Sequence, residues 1–536
     1  MAIDWSRCPI VRLVRLVTKF YVADRAAFVA YAIALGVLYL ILLVSYRLLF
    51  HPLSKYPGPF AAKVSGLYGA FHAFKTTLHL RTWQDHVKYG PIVRQGPNKL
   101  VFSSVQALRD IYQNDRITKS RSYLISQGAP GIYGLFNAVD QTIHQKKRRL
   151  AGQPLSDRSI RAFEPVMIDQ INIFIQQLLQ SCQNEGRGAI PINMTRQSKY
   201  LTIDVMGYLA FGHPLKLQTE ATNRALAHNT AQYYFNIGAQ LPFLGSFRVQ
   251  TLRSLIRGKR YLQSLEKVII QSLSRGSHVK HDLLFMSDSM KVPENDQEWL
   301  DEIESEAIWF LLAGSDPIST TLSALFFYLA KNPQCYQRLA REIRSTFSDD
   351  AEIRSGARLA SCSYLRACID ETLRMSPPVP STLWREKVAG DANSEPLVID
   401  GQLIPEGTQL GVNIFALLHN EEYFPEPFVF KPERWLDPES NQASRDAFAP
   451  FSLGARSCLG RSMAYLEISL VTAKTLLHFD FEEAPGSPGS HMTGLSEEEL
   501  GKGAEGAKVF QICDMFAAAH DGPFLDFRPA GGEFKT

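Results

Sequence analysis

The sequence predicts a mainly α-helical protein with small β-sheets, preceded by one N-terminal transmembrane helix. Three observations predict it. An uncharged apolar run from Ala26 to Tyr46 is long enough to cross a bilayer. Long stretches of helical periodicity fill most of the chain that follows. The strand-like runs are few, short and far apart in sequence.

The bulk composition fits one large folded unit. At 536 residues, 45% hydrophobic and 21% charged, the chain can bury a large core and lies outside the disordered class. No Ser/Gly-rich or Pro-rich linker interrupts the body and no internal repeat is present, so a single unit is expected over 61–536. A formal charge of +4 is small for this size and gives no case for nucleic acid, leaving room only for local basic patches. The seven cysteines, Cys8, Cys182, Cys335, Cys362, Cys368, Cys458 and Cys513, are odd in number and scattered. They form no C-x-x-C pair and no zinc-type cluster. A reducing compartment is expected for the body, with most cysteines serving as small core residues.

Residues 1–25 form an N-terminal tail, in which Val11-Arg-Leu-Val-Arg15-Leu-Val mixes basic and apolar residues as an interfacial segment does. The run 26–46 follows, bounded by Asp24-Arg25 and Arg47. Its alternatives are a signal peptide or a buried core helix. A signal peptide carries a shorter apolar stretch and a small-residue cleavage site, whereas this run continues into the bulky Arg47-Leu-Leu-Phe50, so an anchor is expected. Arg7, Arg12, Arg15, Lys19 and Arg25 precede the span and Arg47, Lys55 and Lys63 follow it. Charge counting alone therefore places the N-terminus in the cytosol. Pro52 and Lys55-Tyr-Pro-Gly-Pro59 make 47–60 a stiff, extended hinge.

In the body, Ile92 to Phe102 reads as two short strands about a turn. Helices are expected over 159–184, 195–211, 220–232 and 250–274, then from Glu298 to Ala330, whose middle is almost wholly apolar, and near 334–347 and 361–375. Short strands follow at Leu397–Asp400, Gln402–Ile404 and Thr408–Val412.

The most informative segment is Phe451-Ser-Leu-Gly454-Ala-Arg456-Ser-Cys458-Leu-Gly460, a lone cysteine in a glycine-punctuated loop that opens onto a helix through about Leu477. A thiolate there sits under the amides and positive dipole end of that helix, a setting that lowers a thiol pKa and suits an axial iron ligand. The bland alternative is a buried inert cysteine beside an ordinary turn. The spacing F-x-x-G-x-R-x-C-x-G resembles the haem-ligand signature of the cytochrome P450 family of haem-thiolate monooxygenases. The resemblance runs from the hinge to near Pro529, and long helices with small strand patches match the fold of that family.

The resemblance implies haem b as cofactor, Cys458 as its iron ligand, Phe451 as a shield for the sulfur, and Gly454 and Gly460 as points of close backbone approach to the macrocycle. It implies a structural network of Glu371, Arg374 and Arg434, drawn from Glu371-Thr-Leu-Arg374 and Pro432-Glu-Arg434-Trp435. Alone, the Glu371/Arg374 spacing fits a solvated surface pair equally well. His144-Gln-Lys-Lys-Arg148 is similar to a family helix that usually carries Trp where His144 stands. Arg148, Arg385 and Arg456 are the candidate partners of the haem propionates. Lys146 and Lys147 read equally as a solvated face or as a docking surface for an acidic reductase domain.

One departure matters. Ala313-Gly314-Ser-Asp316-Pro317-Ile-Ser319-Thr320-Thr321 lines up with the family's oxygen-binding stretch, but Pro317 replaces the threonine that normally helps deliver protons during dioxygen activation. Proline donates no hydrogen bond and clashes with the carbonyl four residues back, so a kink is expected there. Either Asp316, with Ser319, Thr320 or a substrate hydroxyl, relays protons instead, or the enzyme rearranges, desaturates or couples its substrate without ordinary dioxygen activation. A third reading, from another class, is a non-catalytic haem sensor, which NADPH-driven turnover would exclude.

Leu124 to Phe136, Phe310, Ala313, Val379 to Leu383 and the tail Cys513 to Phe524 occupy the pocket-lining regions of relatives and are mostly apolar or aromatic. A lipophilic substrate is implied. By resemblance to fungal members it is a terpenoid, polyketide or alkaloid of secondary metabolism, oxidised with electrons from NADPH through a cytochrome reductase. The same resemblance places the protein in the endoplasmic reticulum membrane as a single-pass protein with a lumenal N-terminus and a cytosolic catalytic domain.

Overall fold

The computed structural model describes residues 9–127, 131–182, 191–228, 231–241, 259–275, 297–388, 396–437, 442–485 and 509–531. Its N-terminal helix, Pro9–Ser45, starts well before the expected span and continues into a π-helical turn, Tyr46–Phe50. Ala27–Phe50 has a mean hydropathy of 2.6 with none of it buried. A second helix stretch passes the same length and hydropathy test, Glu302–Lys331, but it is 72% buried and is the core helix of the body. The described part of the apolar N-terminal helix is thus largely uncovered by protein, which is compatible with a membrane-spanning segment.

The segment expected as a hinge is fastened to the body. Leu53 and Tyr56 are buried in a core cluster with Leu100, Phe102 and Leu410. The fully buried Arg94 donates to the Arg47 carbonyl at 2.8 Å and to the Pro97 carbonyl at 2.9 Å, while its amide donates to the Pro57 carbonyl at 2.7 Å.

Three of the expected strands join two that were not expected, Arg385–Lys387 and Ile117–Lys119, in a five-stranded sheet in the order Ile92–Gly96, Lys99–Phe102, Gln409–Val412, Arg385–Lys387, Ile117–Lys119. Lys99–Phe102 runs parallel to Gln409–Val412 and antiparallel to Ile92–Gly96. Leu397–Ile399 and Gln402–Ile404 make a separate hairpin. Near the C-terminus, Cys513–Met515 pairs with Ala517–Ala519, and Phe524–Pro529 lies between Ile192–Asn193 and Phe479–Glu483.

Helices take up Asp157–Cys182, Met194–Phe211, Gln297–Lys331, Pro333–Thr346, Ser363–Met375 and Arg461–His478. Local chemistry sets their ends. Asn193 caps the second by accepting from the Arg196 amide, and Gly212, at φ 69°, closes it in the left-handed conformation. Pro333 begins the fourth, where its missing N–H is no loss. The helix expected over 220–232 is instead a short 3-10 turn, Arg224–Ala227, followed by a separate helix, Ala231–Gln240. Side chains compete with the helix ladder here: Asp204 accepts the Leu217 and Gln218 amides at 2.8 and 3.0 Å, and Asn223 donates to the Leu215 carbonyl at 2.9 Å. In place of the helix over 250–274 the structure has Lys259–Arg275, with 250–258 outside the described residues.

Gln297–Lys331 passes through the centre of the largest core cluster, with Met194–Phe211 packed along it. It is one helix across Pro317. A side chain at Gly314 would put its Cβ 2.4 Å from the Met206 sulfur, so the glycine lets these two helices approach. Gly314 also lines the cavity that Cys458 faces.

Candidate active site

The cysteine loop is shaped by its own backbone. The Cys458 amide donates to the Phe451 carbonyl at 2.8 Å, and Gly454 turns the chain at φ 71°. A Cβ on Gly454 would lie 1.9 Å from the Tyr112 carbonyl oxygen. Gly454 therefore lets the loop pass the helix Val105–Tyr112 and does not face the cavity, which differs from the macrocycle contact expected of it. Gly460 caps the helix Arg461–His478, lines the cavity and has no atom within 4 Å of where a Cβ would stand, so a flat group can lie close to it.

Cys458, Phe451, Leu459 and Gly460 form one wall of a cavity of about 350 Å³. The surface of Cys458 is exposed, but into this cavity, and protein encloses it elsewhere. That burial pushes the thiol up; the Gly460 amide and the positive charges of Arg148 and Arg461 pull it partly back. The expected acidifying setting is present, and desolvation outweighs it; a metal ion held by Cys458 would favour the thiolate. Phe451 packs against Tyr465, ring centroids 5.2 Å apart, beside the sulfur it is expected to shield.

Four cations converge on the same cavity: Lys119, Arg148, Arg385 and Arg456. None is ion-paired to a carboxylate among the described residues. They are held by neutral acceptors. Arg148 donates to the Ser457 carbonyl at 2.8 Å, Arg385 to the Trp384 carbonyl at 3.1 Å, Arg456 to the Ala138 carbonyl at 2.6 Å and the Thr118 hydroxyl at 2.8 Å, and Lys119 to the Phe136 carbonyl at 2.5 Å. Burial, then mutual repulsion, lowers the pKa of Arg456 to about 10 and drives that of Lys119 well below its ordinary value. His144 lines the cavity too, and burial with the same cations lowers it to about 3, so it is a neutral imidazole. Such a cluster asks for a dianion. One cavity-facing sulfur, four unpaired cations and an otherwise apolar lining fit an iron macrocycle bearing two carboxylates. Lys119 is a member that sequence reasoning missed, because a three-residue strand, Ile117–Lys119, carries no readable periodicity.

The opposite wall is a stripe of the long helix: Phe310, Ala313, Gly314, Pro317, Ile318 and Thr321. Asp316, Ser319 and Thr320 lie on its other flanks. Asp316 is ion-paired with Lys199 and accepts from Gln232 at 2.9 Å; Gln232 itself lines the cavity and accepts the Ala517 amide at 3.0 Å. Thr320 donates to the Asp316 carbonyl at 2.9 Å and meets His520 at 3.1 Å. The hydroxyl that does reach the cavity wall, Thr321, donates to the Pro317 carbonyl at 2.8 Å. Aromatic side chains complete the distal space. Phe136 stacks on Trp309 at 3.9 Å and meets Phe516 edge-on at 5.5 Å.

Lys147 is no part of a free basic surface: it bridges Glu302 and Glu306 at 2.5 and 2.9 Å. Glu306 also accepts the Leu135 amide at 3.0 Å, tying the loop before Phe136 to the long helix. Lys146 is exposed. Behind the cysteine loop, Glu371 accepts from Arg374 at 2.9 Å, Arg434 at 3.0 Å and the Trp435 indole at 2.9 Å, all inside the core rather than on the surface.

Comparison with known proteins agrees with this geometry. A profile of the family described as Cytochrome P450 matches residues 57–506. Cytochrome P450 monooxygenase apf7 of Gibberella fujikuroi is 33% identical over 94% of this chain and 97% of its own length. Cytochrome P450 monooxygenase AKT7 of Alternaria alternata is 34% identical over 93% of this chain and 96% of its own, and atnE of Emericella nidulans is 32% identical over 93% and 97%. A haem b cofactor and an oxidoreductase activity follow from the family, and the chain belongs to the cytochrome P450 monooxygenases.

Proposed function

We propose that this chain inserts one oxygen atom from dioxygen into a lipophilic intermediate of fungal secondary metabolism, with electrons from NADPH through a cytochrome reductase. The observation that carries it is the cavity: Cys458 on one wall, and Phe136, Trp309, Phe310 and Phe516 with few polar groups elsewhere. When bound through a thiolate, haem supplies the electron push that favours O–O cleavage. The residues of the chain do the rest. Cys458 holds the cofactor, while Arg148, Arg385, Arg456 and Lys119 neutralise its carboxylates. The aromatic wall excludes water and orients the substrate. Proton supply falls to Asp316, which accepts a hydrogen bond from Gln232, a residue of the cavity wall. The exposed apolar stretch Ala27–Phe50 supports a membrane anchor, while its place in the endoplasmic reticulum membrane and the cytosolic catalytic domain rest on the resemblance to microsomal members of the family. The exposed Lys146 and Arg149, beside Arg148, offer a reductase its basic contact.

The test is mass spectrometry of metabolites from cells expressing the protein with a reductase under heavy-isotope dioxygen. A new product carrying the label is expected. A new product without it would favour the second reading, coupling, desaturation or rearrangement, which Pro317 on the cavity wall supports. For the relay, Asp316→Asn is expected to cut coupled product formation by at least about tenfold while haem content holds. Unchanged coupling would remove Asp316 from proton delivery.

A further inference from the structure

The C-terminal hairpin pairs Met515 with Ala517, which leaves Phe516 as its single tip residue. Phe516 stands at φ 80°, a region that side-chain-bearing residues enter at a cost and hold only where neighbours over-determine it. The neighbour that does so is Asp514. Its side chain has no exposed surface. One carboxylate oxygen accepts the Phe516 amide at 3.1 Å, the Asn236 side-chain amide at 2.9 Å and the Ser381 hydroxyl at 2.5 Å. The other accepts the His79 amide at 3.1 Å, in the first turn of the helix Leu78–Tyr89. The Asp514 amide donates to the Thr76 carbonyl at 2.8 Å.

Among the described residues no Lys or Arg pairs with this carboxylate. The His79 ring nitrogen is 3.8 Å away, and burial keeps that imidazole neutral with a pKa of about 3. Four separate segments therefore send neutral donors to one buried acceptor, and a group with acceptors only serves them all. Two residues on, the Phe516 ring meets Phe235 at 4.8 Å and Phe136 at 5.5 Å and lines the cavity with Ala517. The helix that carries Asn236 also carries Phe235 and Gln232, so the same carboxylate fixes both sides of the distal wall.

We propose that Asp514 is a positioning residue for substrate selection: by holding Phe516 in its strained conformation it builds an aromatic wall that takes a planar or aromatic part of the substrate. This deepens the proposed haem-thiolate function and rests on it. Asp514 touches no substrate. It acts through the ring of Phe516.

The test titrates the holoenzyme with imidazole and with 4-phenylimidazole, following the Soret shift. Both bind iron through the same nitrogen, so the ratio of their dissociation constants reports the distal wall alone. Asp514→Asn and Phe516→Ala are each expected to narrow that ratio about fivefold, with the carbon monoxide band retained. The double variant is expected to narrow it no further than Phe516→Ala, the non-additivity of a residue acting through another. An unchanged ratio in Asp514→Asn, or additive effects in the double variant, would overturn the proposal. Should Asp514→Asn not accumulate as holoenzyme, Asn236→Ala removes one donor and is expected to narrow the ratio about twofold, and an unchanged ratio there overturns it equally. If imidazole itself produced no Soret shift in the unmodified protein, the haem-thiolate reading would fall instead.

Discussion

Replacing Cys458 by alanine is expected to abolish the thiolate-type Soret band of the reduced, carbon monoxide-bound protein, and all NADPH-driven oxygenation with it. Among the described cysteines, Cys458 alone lines the cavity; Cys362, Cys368 and Cys513 are buried elsewhere, and Cys182 and Cys335 are half-buried. Among the described residues no second thiol lines the cavity. The fold should survive, because the loop is held by the Cys458 amide and by Gly454, neither of which needs the thiol. Persistence of the band in the variant would assign the iron to another ligand.

The second large effect concerns stability. Glu371→Ala is expected to cost roughly 3–5 kcal/mol, because it strands two buried guanidinium groups. Against a total of about 5–15 kcal/mol this removes a large share of the stability margin. Arg374 and Glu371 have fully buried side chains, and Arg434 is 6% exposed, so water cannot replace the lost partner. Burial raises the Glu371 carboxyl, but Arg374 and Arg434 outweigh it and hold its pKa below the ordinary range. A depressed carboxylate pKa stabilises the fold above the unfolded value, and that stability is lost as pH falls through the folded one. The contribution is thus complete at neutral pH and fades only in acid. Urea unfolding of the variant measures the loss. A midpoint equal to that of the parent would mean the network carries no net stability, and Glu371→Leu combined with Arg374→Met is expected to recover part of it.

The sequence was most legible where one residue type has one use. The cysteine loop and the long apolar helix could be read because a lone thiol in a set spacing and a long uncharged run have few explanations, whereas the Glu371 network was legible only through the family resemblance. The cavity-facing stripe of the long helix was less so. Helical periodicity brings Ala313, Pro317 and Thr321 to one face, whereas Asp316 drew attention by its charge and lies on another flank, paired with Lys199. Gly454 was read as making room for a cofactor, whereas the atom it makes room for is the Tyr112 carbonyl oxygen, and Gly314 lines the cavity but also makes room for the Met206 sulfur. Such close approaches join residues more than a hundred positions apart, and no local pattern records them. Lys119 and Asp514 escaped for the same reason, since each is defined by partners from distant segments.

The five-stranded sheet has a consequence in time. Three of its strands lie within 92–119 and the other two within 385–412, so Lys99–Phe102 waits for Gln409–Val412 to be made. At about 5–20 residues per second of synthesis, that gap of nearly 300 residues lasts roughly 15–60 s. Throughout it, one edge of an apolar strand stays unpaired, with Leu100, Val101 and Phe102 bare of the cover they have in the finished protein. Folding is therefore settled late, by the last third of the chain, and a ribosome that stalls before residue 412 releases a sticky sheet edge already attached to an apolar helix.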